Sequence, residues 1–426
     1  MPRRLLVVSY NHPPFPGPGG NRWLAMARYL RDAGHTVTIL ASDAFGGLPD
    51  DDLLGVVRVS DLKASRPLRR LFRRGELAPL TRPEQDAGLE LPPTPLLTKV
   101  IVPDAYVVSW LPAAVVAVRR LVARGHVDCI VTSGPPESVH LAGLLLGERR
   151  PAWIADFRDG WSFEPLREPF PLAAQRRLDA VFERTVVRKA DVVATVTEPI
   201  SDDLRRRYGV DAVTVPNAYD HGFDVEVEAA ELPPLPADRR LIVHTGTLSG
   251  LRGRDPRPLV EALRRLAGEP AVASGIAFVQ VGPISPADDA LLGPLREQGL
   301  AHTLGVVPRA TAIAIQRRAA ALLLITSADV SQSTAKLYEY LAAGRPIIAL
   351  AEGNEAARIV QETHSGLTIP TADVDAIAAA IRRVASGELA REYAPRGVER
   401  FAYPGPAEAM AELVETAIER RLARIG

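Results

Sequence analysis

The stretch Ser331–Leu350, SQSTAKLYEYLAAGRPIIAL, contains a polar loop, a helix and a buried strand in immediate succession. Ala335–Ala342 is helical in character, and Gly344 stands where a helix C-cap is expected. Pro346–Leu350 is a short apolar run that is typical of a buried strand. A helix followed so closely by such a strand predicts an α/β domain with a parallel sheet.

Short apolar runs alternate with helical segments along most of the chain. Strands are expected at Leu5–Ser9, Thr36–Ala41, Cys129–Ser133, Trp153–Asp156, Val192–Thr195, Leu241–Thr245, Ala277–Val281, Ala321–Ile325 and Pro346–Leu350. Helices are expected at Asn21–Ala33, Leu111–Arg124, Pro258–Ala267, Thr311–Ala319, Ala335–Ala342, Val374–Ala385 and Ala407–Ile425. In doubly wound sheets, ligands bind outside the carboxyl ends of the strands. The predicted fold class is α/β, with two Rossmann-like domains facing across a cleft.

The length of 426 residues fits two domains of ordinary size. Between the two sets of strands, Val225–Arg239 is first acidic and then rich in proline, and it shows no helical period. This composition is typical of a linker between domains. The predicted organisation is an N-terminal domain over residues 1–222, a linker over 223–240 and a C-terminal domain over 241–403.

Composition excludes several classes of protein. The chain carries 51 basic and 51 acidic residues, so its net charge of zero argues against a protein that binds nucleic acid through a global basic field. Cys129 is the only cysteine, which excludes a disulfide framework and a cysteine-based zinc site. No apolar run approaches the ~18 residues of a membrane span, and the apolar run Leu5–Val8 is too short for a signal peptide. We therefore expect a cytoplasmic protein.

A basic segment, Lys63–Arg74, contains six cationic residues and no acidic residue. It lies within a region rich in proline and arginine, residues 61–106, that interrupts the alternation of strands and helices. One interpretation is a contact with an anionic membrane surface at the inner face, or with a phosphorylated acceptor. The alternative is a solvated basic face.

The loop Ser331–Thr334 and the helix after it have the features of a nucleotide site. The N-terminus of a helix binds phosphate through its unpaired backbone N–H groups and its dipole. Lys336, in the first turn, adds a compact positive charge, although the chain has only four lysines against 47 arginines. Glu339 lies about one turn further along the same face, where a carboxylate accepts hydrogen bonds from two sugar hydroxyls. The alternative is an ordinary amphipathic helix with Leu337 buried and Glu339 solvated.

This string resembles the nucleotide-sugar site of GT-B glycosyltransferases, and in particular of the retaining glycosyltransferase family 4. The resemblance covers nearly the whole chain. It includes SYNHPPFPGPGGNR at 9–22, AGHTVTIL at 33–40, VPNAYD at 215–220, HTGTLSGLRGRDPRPLVEAL at 244–263 and SGLTIPTADVDAIAAAI at 365–381. The resemblance implies transfer of a sugar from a nucleoside-diphosphate sugar, most often a UDP-sugar, with retention of configuration and without a metal. It also implies that the C-terminal domain binds the nucleotide. The N-terminal domain would bind an acceptor, which is a small molecule, a glycan or a lipid-linked molecule, and the final helix, residues 404–426, would pack back on that domain.

By the same resemblance, Glu339 holds the ribose of the nucleotide, and Ser333, Thr334 and Lys336 lie near the diphosphate with Leu337 beside them. The family usually has a further glutamate that contacts the donor sugar eight residues earlier. This chain has Ser331 there, and Asp329 lies two residues away as a possible substitute.

The loop after the first strand of the C-terminal domain usually carries cations that neutralise the diphosphate. Thr247 occupies the position of the usual arginine, and Arg252 and Arg254 are the nearby cations. A nucleoside diphosphate that leaves without a metal requires fixed positive charge, so we assign them that role. The alternative is that one or both are solvated loop charges.

Two further groups of candidates lie in the N-terminal domain. Gly17, Gly19 and Gly20 form a glycine-rich loop that lets the backbone approach a ligand closely. In PAWIADFRDGW a predicted strand ends with Asp156, and Arg158 aligns with a histidine that lies near the donor sugar in the family. Asp159 would orient the acceptor hydroxyl or form an ion pair with Arg158.

Two alternatives to a glycosyltransferase remain. A nucleotide-sugar epimerase on the same fold would need carboxylates and histidines around the sugar, which this sequence supplies sparsely. A non-catalytic partner subunit is favoured by the departures at Ser331, Thr247 and Arg158. No cluster of histidine, cysteine and carboxylates has convincing metal spacing, and the string Asp50–Asp52 is interpreted as a solvated turn, so no metal or other cofactor is expected.

Overall fold

The computed structural model describes residues 1–15, 18–62, 100–163, 167–250, 254–327, 329–331 and 333–425. Gly17, Arg252 and the basic segment Lys63–Arg74 lie outside the described residues. Contacts divide the chain into two units. The N-terminal unit comprises the described residues up to 217 together with those from 404 onward, and the C-terminal unit comprises residues 218–403.

In the described residues, the sheet of the N-terminal unit has seven parallel strands in the order β3-β2-β1-β4-β5-β6-β7. The strands are β1 (Arg4–Val8), β2 (Thr36–Ser42), β3 (Val56–Val59), β4 (Cys129–Gly134), β5 (Ala152–Phe157), β6 (Val192–Thr195) and β7 (Ala212–Thr214). The helices are α1 (Pro18–Asp32), α2 (Tyr106–Ser109), α3 (Leu111–Arg124), α4 (Ser138–Leu144), α5 (Ala173–Lys189) and α6 (Glu198–Tyr208). The central strands β4 and β5 are mainly apolar and are buried along their whole length, as expected for a parallel sheet covered by helices.

In the C-terminal unit, six parallel strands of the described residues follow the order β10-β9-β8-β11-β12-β13. They are β8 (Arg240–Thr245), β9 (Ile276–Val281), β10 (Ala301–Thr303), β11 (Ala321–Ile325), β12 (Ile347–Leu350) and β13 (Gly366–Ile369). The helices are α7 (Asp224–Glu228), α8 (Arg257–Ala267), α9 (Pro270–Ala273), α10 (Pro286–Glu297), α11 (Arg309–Arg318), α12 (Ala335–Ala343), α13 (Glu355–Glu362), α14 (Val374–Ala385) and α15 (Glu388–Arg391). The two parallel sheets confirm the prediction of a doubly wound α/β protein.

The segment predicted as a linker begins with a helix. In α7 the side chain of Val227 is buried and packs with Ile313 and Ala314 of α11, and Asp224 forms an ion pair with Arg317. Residues 218–240 therefore belong to the C-terminal unit by their contacts, whereas the sequence placed the start of the linker at 223. The acidic composition of this segment gave no indication that one apolar residue, Val227, anchors it to α11.

The last helix, α16 (Gly405–Ile425), belongs to the N-terminal unit and packs against β5. Met410, Val414 and Ala417 of its predicted apolar stripe are fully buried, whereas Leu422 is 59% exposed. Arg424 forms an ion pair with the buried carboxylate of Asp191, and Glu415 forms one with Arg3. Among the described residues, no helix is both long enough and apolar enough to cross a membrane.

The Asp191 carboxylate is a testable anchor of α16. It accepts hydrogen bonds from Arg150, from Arg424 and from the backbone N–H of Trp153. We expect Asp191→Ala to lower the free energy of unfolding of the N-terminal unit by about 3–5 kcal/mol, because the guanidinium of Arg150 stays buried without its partner. All four tryptophans lie in this unit, so urea denaturation followed by tryptophan fluorescence measures it selectively.

The matched control is Asp211→Ala, which removes the partner of Arg420 at an exposed ion pair. Exposed ion pairs contribute little to stability, so this variant should unfold at nearly the same urea concentration as the unaltered protein. Equal losses in the two variants would contradict the anchoring role of Asp191.

Candidate functional site

The strand order of the C-terminal unit reverses between β8 and β11, and the polar candidates that the structure describes lie in the loops after these strands or on α12. After β8 the chain continues through Gly246 and Thr247, and after β11 it runs through residues 326–334 into α12. Such a reversal opens a crevice at the strand ends, which is where doubly wound sheets bind ligands. The structure therefore brings together two loops that are about 85 residues apart in the sequence.

Lys336 lies in the first turn of α12 and reaches across to the end of β8. Its Nζ lies 3.5 Å from His244 Nε2 and 3.4 Å from the carbonyl oxygen of Thr247. The side chain passes directly over Gly246, where an added Cβ would lie 2.6 Å from Lys336 Cε. Gly246 also has a φ of +83°, which favours glycine. A glycine is thus required here both by the backbone and by the path of the lysine.

Arg254 is a second cation at the same edge. Its Nη2 donates a hydrogen bond of 2.6 Å to Thr247 Oγ1, and its guanidinium packs against Gly250, where a Cβ would lie 2.4 Å from Nη2. Thr247 therefore contacts two of the three predicted cations, Lys336 through its carbonyl and Arg254 through its hydroxyl. The loop carries positive charge even though a threonine occupies the position of the usual arginine.

His244 is a residue of this site that the sequence analysis did not single out. It is fully buried at the end of β8, and its Nδ1 lies 2.7 Å from Gln280 Oε1 on the neighbouring strand β9. Burial, and then the charges of Lys336 and Arg254, hold the pKa of His244 well below its ordinary value. The imidazole is therefore neutral at physiological pH. The only sequence signal was a histidine at the end of an apolar strand.

Glu339 of α12 is held by two residues of α11. Its Oε1 accepts hydrogen bonds from Arg309 Nη2 at 3.0 Å and Nε at 3.2 Å, and its Oε2 accepts one from Gln316 Nε2 at 3.3 Å. The side chain of Glu339 is only 19% exposed, so the alternative of a solvated carboxylate does not describe it. Arg309 and Gln316 were not among the predicted site residues, since nothing in the sequence connects α11 with α12.

The loop before α12 contains buried polar atoms that lack partners among the described residues. The backbone N–H and hydroxyl of Ser331 both donate to Asp329 Oδ1 at 3.0 Å, while Asp329 Oδ2 is buried without a hydrogen bond in the described part of the chain. Thr334 Oγ1 is likewise buried and has no hydrogen bond in the described part of the chain, whereas Ser333 Oγ accepts a hydrogen bond from the hydroxyl of Tyr338. Buried polar atoms without partners are costly, which makes this loop a place where a ligand gains hydrogen bonds.

Two sequence predictions need correction. Leu337 is fully buried in the core of the unit, and its backbone N–H is bonded to the carbonyl of Thr334 at 3.0 Å, so it offers a ligand neither a side chain nor a donor. Gly19 and Gly20 lie in the first turn of α1, which begins at Pro18, rather than in a loop that precedes the helix at Asn21. The proline at the first helical position is a start signal that the sequence analysis overlooked.

In the N-terminal unit, Arg158 and Asp159 follow β5 at its carboxyl end. Arg158 donates hydrogen bonds to the carbonyls of Gly134 at 2.9 Å and Pro135 at 2.6 Å. Burial lowers the pKa of Arg158, and the neighbouring charges of Asp159 and Asp156 oppose that effect. Arg158 is therefore tied to the end of β4, next to the point where the strand order of this sheet reverses.

Asp156 forms a buried ion pair that was not predicted. Arg22 Nη2 lies 3.2 Å from its Oδ1, and Ser133 and Trp23 donate hydrogen bonds to its Oδ2 at 2.8 Å and 3.2 Å. Burial alone would raise the pKa of Asp156, but the charge of Arg22 and these hydrogen bonds hold it below its ordinary value. Asp156 is thus a structural carboxylate that joins α1 to the sheet.

Glu137 is a further carboxylate near this edge that the sequence analysis missed. Burial raises the pKa of Glu137 to about 7, against the opposing charge of Arg167, and the charges of Asp104 and Asp159 raise it further. It lies in the turn between β4 and α4. Among the described residues there is no group of three or more histidine, cysteine or acidic side chains arranged to hold a metal.

Two family models match the sequence in succession. A glycosyl transferase 4-like domain matches residues 19–218, and a glycosyl transferases group 1 domain matches residues 239–386. No curated protein matches the chain by sequence.

Solved structures similar to the chain extend over its whole length. A glycosyltransferase from Rickettsia africae has a TM-score of 0.64 at 13% identity, covering 98% of this chain and 99% of that one. Sucrose-phosphate synthase from Thermosynechococcus elongatus has a TM-score of 0.60 at 19% identity, covering 100% of both chains. UDP-GlcNAc 2-epimerase from Neisseria meningitidis, bound to UDP-GlcNAc, has a TM-score of 0.55 at 11% identity, covering 97% of this chain and 99% of that one. At these identities the likeness shows a shared fold.

The crowding of Gly246 by Lys336 predicts a specific pattern of stabilities. Gly246→Ala should destabilise the C-terminal unit by more than the about 1–2 kcal/mol of left-handed strain alone, because the new methyl group also displaces Lys336. Gly305→Ala is the matched control, since Gly305 has a φ of +65° and no atom within 4 Å of its added Cβ. Calorimetry measures the stability of the C-terminal unit in both variants. Tryptophan fluorescence identifies which unfolding transition belongs to the N-terminal unit.

In a Lys336→Ala background the excess loss of Gly246→Ala over Gly305→Ala should disappear. An excess that persists without the lysine would contradict the packing of Lys336 on Gly246.

Proposed function

The chain is a GT-B glycosyltransferase, and we propose that it moves a sugar from a nucleoside-diphosphate sugar to an acceptor hydroxyl. The observation that carries the proposal is the convergence of two cations, Lys336 and Arg254, on Thr247 where the strand order of the C-terminal unit reverses. Fixed positive charge at such a site suits a diphosphate.

The diphosphate would bind at the N-terminus of α12. When the bond between the sugar and the phosphate breaks, negative charge grows on the departing diphosphate. Lys336, Arg254 and the helix dipole would stabilise that charge without having to reorganise, which lowers the barrier. Arg252 is retained as a further candidate cation from the sequence. Because these groups supply the positive charge, we expect no metal to be required.

The nucleoside would lie along α12 toward Glu339. A carboxylate whose orientation is already set by Arg309 and Gln316 accepts hydrogen bonds from the two ribose hydroxyls at little entropic cost. We propose a uridine nucleotide, because the resembling family most often uses UDP-sugars and the Neisseria meningitidis neighbour is bound to one.

The donor sugar would lie beside the loop before α12. Asp329 keeps a buried carboxylate oxygen without a partner in the described residues, and Ser331 is bonded to the other oxygen of the same carboxylate. We propose that Asp329, oriented by Ser331, takes the role of the glutamate that the family usually carries at position 331. Ser333 and Thr334 would add hydroxyl groups near the diphosphate.

The N-terminal unit would bind the acceptor, with Arg158 and Asp159 near the reacting hydroxyl. In a retaining transfer, the bond from the anomeric carbon to the phosphate oxygen breaks, and the acceptor oxygen bonds to the same face of that carbon. The acceptor proton passes to the departing phosphate oxygen, so no protein base is needed. The concentration of cations around the diphosphate suits this dissociative course.

Two alternatives are separated from this proposal by simple observations. An epimerase would release an altered nucleotide sugar without any acceptor, and the similar fold of the Neisseria meningitidis enzyme is the reason to check for it. A non-catalytic subunit would bind the donor and never hydrolyse it, even over long incubation without acceptor.

Binding of nucleotides tests the C-terminal site directly. A thermal-shift panel of UDP, GDP and dTDP first selects the ligand, since a ligand at ~100 times its dissociation constant adds about 2.7 kcal/mol of stability. By calorimetry, Glu339→Ala should then weaken binding of that diphosphate by about 1.5–3 kcal/mol, the range for hydrogen bonds to a charged group. Lys336→Ala should weaken binding of the diphosphate much more than binding of the corresponding nucleoside.

The chain supplies matched controls for both substitutions. Glu261→Ala removes an exposed carboxylate on α8, and Lys189→Ala removes a lysine of the N-terminal unit. Neither should change nucleotide affinity. Unchanged diphosphate affinity in a folded Glu339→Ala variant would contradict the contact between Glu339 and the ribose. Equal losses of affinity for nucleoside and diphosphate in Lys336→Ala would show that Lys336 does not act through phosphate.

Retention of configuration is tested on the product. We expect an α-linked donor to give an α-linked product, because the cations around the diphosphate favour its departure and its oxygen then takes the acceptor proton. The measurement is the proton NMR coupling constant at the new anomeric centre. A β-linked product would refute retention, and Asp159 and Glu137 would become the candidates for the base.

A further inference from the structure

Three consecutive contacts link Gly246, Gln280 of β9, His244 and Lys336. Together they determine which ring nitrogen of His244 carries the proton. Gln280 Nε2 donates a 2.6 Å hydrogen bond to the carbonyl oxygen of Gly246, which can only accept. The other end of the amide, Oε1, therefore faces His244 Nδ1 at 2.7 Å and must receive a proton from it. His244 Nε2 is left as an acceptor, and it is the atom that faces the ammonium of Lys336 at 3.5 Å.

The surroundings keep this arrangement in one protonation state. His244 and Gln280 are fully buried, and the charged groups that act on the imidazole are Lys336 and Arg254. A second proton on the imidazole would place a fully buried cation beside the ammonium of Lys336, so the neutral form is strongly favoured. His244 Nε2 therefore presents a lone pair to the ammonium of Lys336 at physiological pH.

The position of the lysine follows from these contacts. A flexible four-carbon side chain has several rotamers, and ordering it costs free energy each time a ligand binds. Here Gly246 packs against the side chain of Lys336, while His244 Nε2 and the carbonyl oxygen of Thr247 attract its ammonium group. A hydrophobic side chain at position 244 would fill the same core space at no desolvation cost, so packing alone does not explain a buried histidine here.

We infer that His244 is a positioning residue, a neutral imidazole that places the ammonium of Lys336 for a nucleoside diphosphate before the ligand arrives. The inference rests on the proposed function for the identity of the ligand. It assigns His244 no contact with the substrate and no proton transfer. Its effect passes through Lys336, so it should vanish when the lysine is absent.

A double-mutant cycle tests this dependence. The variants are His244→Leu, Lys336→Met and the double variant, and calorimetry measures their affinities for UDP and for uridine. His244→Leu should weaken UDP binding by about five- to tenfold, as expected for one lost hydrogen bond, and should leave uridine binding unchanged. In the Lys336→Met background, His244→Leu should cause no further loss.

The controls separate positioning from a structural role. His302→Leu, on β10 of the same sheet, should leave UDP affinity unchanged. His244→Gln restores an acceptor and should recover most of the affinity, and it replaces His244→Leu in the cycle if the leucine variant does not fold. A crystal structure of the variant without nucleotide should show Lys336 Nζ displaced from the end of β8.

Each other outcome is decisive. Additive losses in the cycle, or an unmoved Lys336 in the variant crystal, would overturn the positioning role and leave the proposed function intact. If the unaltered protein binds none of UDP, GDP and dTDP, the proposed function fails and this inference fails with it. Loss of UDP binding in Lys336→Met with no effect of His244→Leu would overturn the inference alone.

Discussion

The contact between Lys336 and the end of β8 is the interaction on which the candidate site depends. Strand order in the C-terminal sheet reverses between β8 and β11, so the loops after these strands diverge and leave a crevice. The ammonium of Lys336 bridges this crevice to Thr247, which also accepts a hydrogen bond from Arg254. A side chain in place of Gly246 would displace the lysine, because an added Cβ would lie 2.6 Å from Lys336 Cε. Fold topology, a glycine and two cations thus act together to place positive charge at one edge of the sheet.

Buried charge is handled differently in the two units. In the N-terminal unit, Asp156 is fully buried and satisfied by Arg22, Ser133 and Trp23, which leaves it no free capacity for chemistry. In the C-terminal unit, Glu339 is paired with Arg309 but remains partly exposed. A charge that is buried and fully paired stabilises the structure only if its partners stay in place, whereas a partly exposed pair can exchange a partner for a ligand. This difference separates the structural carboxylate from the candidate ligand-binding one.

The sequence predicted the central strands well, but it could indicate only those candidate site residues that lie close together along the chain. The buried strand β11 is a continuous apolar run and β6 is nearly one, so their positions were visible. Both strands, Val192–Thr195 and Ala321–Ile325, were located to the residue. The short strands β3, β7 and β10 were missed because strands of three or four residues at or near the edge of a sheet carry little apolar pattern. Lys336 and Glu339 could be proposed from the sequence because a helix start with its polar residues is local in sequence. His244, Gln280 and Arg309 were missed because their partners lie on other elements, and only tertiary folding brings them together.

The rarity of lysine in this chain has a physical explanation at position 336. The chain uses 47 arginines and only four lysines, so an arginine would be the expected cation. The space above Gly246 is narrow, because even a methyl group there would lie 2.6 Å from Lys336 Cε. A planar guanidinium is wider than an ammonium, whereas the compact ammonium of Lys336 lies within 3.5 Å of both His244 Nε2 and the carbonyl oxygen of Thr247. Arginine serves where a broad fork meets a carboxylate or a hydroxyl, as Arg254 does at Thr247. At the end of β8, a compact charge on a narrow side chain fits against Gly246, and lysine supplies both.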